Sequence, residues 1–66
     1  MKEEIIQAML AKYEGDYLTN KATLDIYLNN PVAIGEHPQH IEEIDKLVSN
    51  MVEAKDKSNM IKSVYK

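Results

Sequence analysis

Along the first half of the chain, Ile6, Leu10, Tyr13, Tyr17, Asn20, Leu24 and Tyr27 follow one another at steps of 4, 3, 4, 3, 4 and 3 residues. That alternation keeps one stripe of an α-helix in line, and it is the spacing with which two helices pack side by side. It predicts a helix over 2–29. Ile5, Met9, Leu18 and Leu28 lie beside the stripe and widen it towards that of a bundle helix. In the second half, Ile44, Leu47, Met51, Ala54, Ser58, Ile61 and Tyr65 step by 3, 4, 3, 4, 3 and 4, flanked by Ile41, Val48, Val52, Met60 and Val64. A second helix is predicted over 38–64.

Between the two stripes, Pro31-Val-Ala-Ile-Gly-Glu-His-Pro38 holds three of the four Gly and Pro residues of the 66-residue chain. A residue before proline is pushed out of the helical region, so the first helix must end at Asn29-Asn30, where Asn tolerates left-handed backbone. Pro38 suits the first position of the second helix, with Glu36 or His37 just outside it. Val32, Ala33 and Ile34 are expected to fold over the adjacent end of the core, and Gly35 to supply the turn's special backbone angle. The pattern is therefore all-α: one domain, an antiparallel hairpin of two helices joined by an ordered turn over 30–37. The remaining breaker, Gly15, costs about 1 kcal/mol relative to Ala inside a helix. With Asp16 beside it, it leaves open a kink or a restart capped by Thr19 or Asn20.

If the helices fold back about the turn, Tyr27 should face the Ile41–Ile44 turn, Asn20 should meet Val48, Tyr13 should lie near Lys55 and Leu10 near Ser58. Apolar density thins past residue 54, where Lys55-Asp-Lys-Ser-Asn59 is wholly polar, so this half of the hairpin should be the weaker or should need another chain. Glu3 and Glu4 open the first helix. Glu42, Glu43 and Asp45 open the second, which closes on Lys62 and Lys66; these charges suit the helix dipoles. Glu42–Lys46 and Glu53–Lys57 are spaced for ion pairing along the second helix.

At this length a two-helix hairpin can offer only one face of each helix to its partner, and small folds of this kind need a staple. There is no Cys, so neither a disulfide nor a Cys-ligated metal is available. Self-association is the expected remedy: two or more hairpins forming a homo-oligomeric four-helix bundle, a dimer first and a tetramer second. The charge of −3, carried with eight Lys and no Arg, argues against nucleic acid as a partner. No apolar run reaches the roughly eighteen residues that cross a bilayer, and the N-terminus lacks a basic stretch leading into an apolar block, so the expectation is no membrane and a cytoplasmic setting.

Candidate chemistry is sparse. Glu36-His37-Pro38-Gln39-His40-Ile41-Glu42-Glu43 gathers both histidines with carboxylates. His37, His40 and Glu43 are weak candidates for a Zn²⁺ or Mn²⁺ site, against a plainer reading as capping and solvated groups. No Ser has a His–Asp arrangement and no Gly-rich loop follows a strand, so no catalytic residue, no cofactor and no enzyme are expected. The four tyrosines lie at seam positions, either as the border of a small core or as a surface for another protein. Asn20 either sets register as a buried zipper Asn does or lies exposed beyond a kink at Gly15. Met9, Met51 and Met60 read as core filler, against an alternative in which they mark an adaptable groove for a partner. The candidate interaction face is Ile6, Leu10, Tyr13, Tyr17, Tyr27, Met51 and Ile61.

The segment Ile26-Tyr-Leu-Asn-Asn-Pro-Val-Ala-Ile-Gly-Glu-His-Pro38, followed by Ile41-Glu-Glu-Ile-Asp45, resembles the centre of small helical-hairpin proteins encoded by tailed marine bacteriophages, with Ala33 where those carry Gly. The resemblance covers about the middle third of the chain and implies no activity. It implies a phage or marine origin, an infected bacterial cytoplasm, and an accessory protein that acts by binding other proteins.

Overall fold

The computed structural model describes residues 1–30 and 39–65. Helix α1 spans Lys2–Leu28 and helix α2 spans Gln39–Val64. Tyr27 meets His40 at one end of the pair and Lys2 meets Tyr65 at the other, so the helices run antiparallel. The result is a rod of 49 × 14 × 13 Å.

Helix α1 runs unbroken through Gly15, whose φ is not positive. Neither Thr19 nor Asn20 caps a new helix. Asn20 Nδ2 donates to the Asp16 carbonyl at 2.7 Å and Thr23 Oγ1 to the Thr19 carbonyl at 3.1 Å, which is bonding within a continuous helix. Gly15 is exposed, and a Cβ there would meet nothing within 4 Å. At the helix end, the Asn29 N–H donates to the Asp25 carbonyl and the Asn30 N–H to the Tyr27 carbonyl at 3.2 Å. Asn29 has φ −92° and ψ 10°, so α1 closes without the left-handed conformation that the sequence suggested for it. The turn readings at 31–38 and the placing of Lys66 lie outside the described residues.

The inner stripes are where the alternating spacing put them. Ile6, Leu10, Tyr13, Tyr17, Asn20, Leu24 and Tyr27 are all half-buried, as are Ile44, Leu47, Met51, Ser58 and Ile61. Ala54, 4% exposed, is the buried hydrophobic residue among those described, and a residue this small lets the two backbones approach. Tyr65, just past the end of α2, is 48% exposed and belongs to the rim of the seam. The stripes are narrower than expected. Met9 joins the seam of α1, but Ile5, Leu18 and Leu28 are exposed, and Met60, at 63% exposure, is not core filler.

Salt bridges run along the helices: Lys12–Asp16 at 2.9 Å, Lys21–Asp25 at 3.1 Å and Glu53–Lys57 at 2.8 Å. Of the two pairs expected on α2, Glu53–Lys57 forms. Glu42 and Lys46 do not pair among the described residues, and the two bridges of α1 have the reverse order, base before acid.

Candidate interaction surface

The seam is lined with tyrosine, and each tyrosine meets a nitrogen-bearing side chain of the facing helix. Lys55 Nζ lies 4.3 Å from the centre of the Tyr17 ring, Lys57 Nζ 5.8 Å from that of Tyr13, and Lys2 Nζ 5.1 Å from that of Tyr65. The Tyr27 and His40 rings are 5.2 Å apart at a tilt of 57°. An ammonium over an aromatic face is attracted by the ring quadrupole while its own stem covers apolar surface. The tyrosines therefore border the core, with lysines from the opposite helix laid across them.

The observed pairings also set the axial register. The Lys57 ammonium reaches Tyr13 and Asn50 stands by Asn20, two residues beyond simple reflection about the turn, while Tyr27 by His40 and Lys2 by Tyr65 stay within one residue of it. In this register Asn50 Nδ2 donates to Asn20 Oδ1 at 3.1 Å, while Asn20 Nδ2 is held by the Asp16 carbonyl. Asn20 is thus a seam residue bonded across the interface. Its partner Asn50 was not placed in the seam by sequence, and neither were Asp16, Thr23 and His40, all of them half-buried. The spacing carried a signal for most of these: Asp16 and Thr23 continue Met9 at intervals of seven, and His40 continues the α2 stripe four residues before Ile44.

Two grooves flank the seam. One is polar and is lined by Asp16, Asn20, Asn50, Glu53, Ala54 and Lys57. Its charges neutralise one another: the hydrogen bond from Lys57 holds the Glu53 carboxyl below the usual range, and Glu53 holds the Lys57 ammonium above its own. Lys21 is likewise raised by its hydrogen bond to Asp25. The other groove is apolar and is lined by Tyr17, Val48, Met51, Val52, Lys55 and Asp56. A second apolar hollow lies at the open end, between Ile5, Ile6, Met9, Ile61 and Tyr65.

The seven residues read from sequence as an interaction face (Ile6, Leu10, Tyr13, Tyr17, Tyr27, Met51 and Ile61) are all half-buried in the seam between α1 and α2. The apolar side chains left open lie beside them. Ile41, Val48 and Val52 are 60%, 42% and 54% exposed, and Ile26, Leu28 and Val64 are exposed as well. The chain exposes 5109 Å², where a compactly folded protein of 7.6 kDa exposes about 4,300 Å². Of the metal candidates, His37 lies outside the described residues, His40 packs on Tyr27, and Glu43 is exposed. No group of three or more His, Cys, Asp or Glu among the described residues could hold a metal ion, and no described helix is long and apolar enough to cross a membrane. No protein family, no curated protein and no solved structure matches the chain.

Proposed function

We propose that this chain is a small, non-enzymatic interaction protein whose working form is an assembly of hairpins, in the simplest case a homodimeric four-helix bundle. The observation that carries this reading is the imbalance of burial. One hydrophobic residue, Ala54, is buried among those described, while eleven large apolar side chains stand exposed. Burial of apolar surface is the main force holding a fold of this size, and a hairpin with so little of it is completed by packing against more chain. The open grooves favour a binding surface over a catalytic one. The described carboxylates lie at exposed or half-open positions, and Glu53 is held ionised by its lysine instead of being poised to exchange a proton. The setting we propose, an accessory protein in an infected bacterial cytoplasm, rests on the resemblance of 26–38 to phage proteins alone.

Sedimentation equilibrium across a wide concentration range, with helicity followed by circular dichroism, tests the assembly. The expected outcome is a dimer or tetramer that keeps its helicity until dilution takes it apart. A chain that stays monomeric at all concentrations overturns self-association. If that monomer is also poorly helical, the completing surface belongs to a different protein.

A further inference from the structure

Helix α2 carries a second row with the same rhythm as its inner stripe. Ile41, Asp45, Val48, Val52, Lys55 and Asn59 step by 4, 3, 4, 3 and 4 residues, and all six are exposed. Each lies one residue after a member of the seam row His40, Ile44, Leu47, Met51, Ala54 and Ser58. One residue is about 100° of rotation about the helix axis. The second row therefore faces nearly at a right angle to the first, which is how a helix of a four-helix bundle touches its two neighbours.

The central four residues of that row, Asp45, Val48, Val52 and Lys55, complement themselves when the order is reversed. Between Val48 and Val52 lies a point from which Asp45 and Lys55 are equally distant, one acidic and one basic. We propose that this row is the contact with a second copy of the chain, α2 against α2 in antiparallel order about a two-fold axis level with Asn50. Val48 then packs on Val52 of the second copy, and Asp45 pairs with Lys55 of the second copy, twice by symmetry. The parallel arrangement sets Asp45 on Asp45 and Lys55 on Lys55, and is disfavoured by both repulsions. Lys55 is already held over the Tyr17 ring at 4.3 Å, and an ammonium has three donors, so it can also donate to a carboxylate beside that ring.

This inference rests on the self-association proposed above, and cross-linking separates the two. The chain has no Cys, so Asp45→Cys and Lys55→Cys each introduce one thiol at an exposed position. Under oxidation the antiparallel contact predicts a disulfide when the two variants are mixed and none with either alone, because like positions are then about 15 Å apart along the axis. Disulfides within each variant alone overturn the antiparallel order. A dimer by sedimentation with no disulfide in any mixture overturns this face while leaving self-association standing, and a monomer overturns both. Charge reversal gives an independent reading. Asp45→Lys weakens the dimer by roughly tenfold or more through its two like-charge contacts, and adding Lys55→Asp to the same chain restores it. A dimer indifferent to both changes counts against the proposal.

Discussion

The two grooves on either side of Ala54 are built by the same pair of helices, yet one is finished and the other is not. On the polar side, Asn20 and Asn50 bond across the seam, Asp16 is bridged to Lys12 and Glu53 to Lys57, so water can cover what remains at little cost. On the other side, Val48 and Val52 face outward with Met51 and Tyr17 half-open beneath them. The difference shows where a marginal fold keeps its unused stabilisation. Exposed, salt-bridged polar groups add little when covered, whereas each valine side chain fully removed from water contributes about 1.5–3 kcal/mol.

Breaking the apolar side should therefore have the largest effect. Val52→Asp places a charge in the contact of both copies and should weaken self-association on the order of a hundredfold, read as a shift in the sedimentation midpoint; the same change at exposed Lys46 should leave it in place. Next comes the seam that both grooves share. Ala54→Leu puts a larger side chain at the buried position of the seam and should cost about 1–3 kcal/mol of hairpin stability, measured by denaturant melts at one fixed protein concentration. On the polar side, Asn20→Ala leaves the Asn50 amide without its cross-helix partner and should cost about 0.5–1.5 kcal/mol. Replacing both by Leu should recover that loss while loosening the axial register, visible as heterogeneous cross-links.

Two smaller effects sharpen the comparison as controls. Gly15→Ala adds a methyl group in open space on a continuous helix, and should stabilise by about 0.4–1 kcal/mol without favouring either groove. The smallest effect is that of pH on the polar groove. Because Lys57 lowers the Glu53 pKa in the folded state, the contribution of the pair is present above the ordinary carboxylate range and lost as pH falls through the folded pKa. Glu53→Gln should remove that part of the acid dependence, and added salt should shrink it in the unaltered chain.

The helices and the seam could be read from the chain because a 4–3 alternation is a property of one helix at a time. Leu10, Tyr17 and Leu24 needed no knowledge of their partners to be placed inward. Reading by hydrophobicity alone failed in two ways. It passed over Asn50, Asp16 and His40, which lie in the seam because their position on the helix turns them inward whatever their polarity. It also let Leu18 and Leu28 widen the stripe and Met60 fill the core although all three are exposed, since a two-helix contact is too narrow to cover every apolar residue nearby. Gly15 left a break open in the sequence, and the helix runs through it for a physical reason. Its cost is about 1 kcal/mol, too little to interrupt a helix whose flanking turns are held by packing on α2.

The chain by itself determined two helices, their antiparallel order and the residues on each inner stripe, because these follow from backbone periodicity and from where proline forbids a helix. Only the tertiary structure decided which residues stand level, and with that the pairing of Tyr17 with Lys55, Tyr13 with Lys57 and Asn20 with Asn50. A shift of the helices along their common axis leaves both stripes facing inward. The register is therefore chosen by shape and bonding at the contact, by Ala54 where the backbones approach and the asparagine pair beside it, and those are relations between distant residues that a linear pattern does not contain.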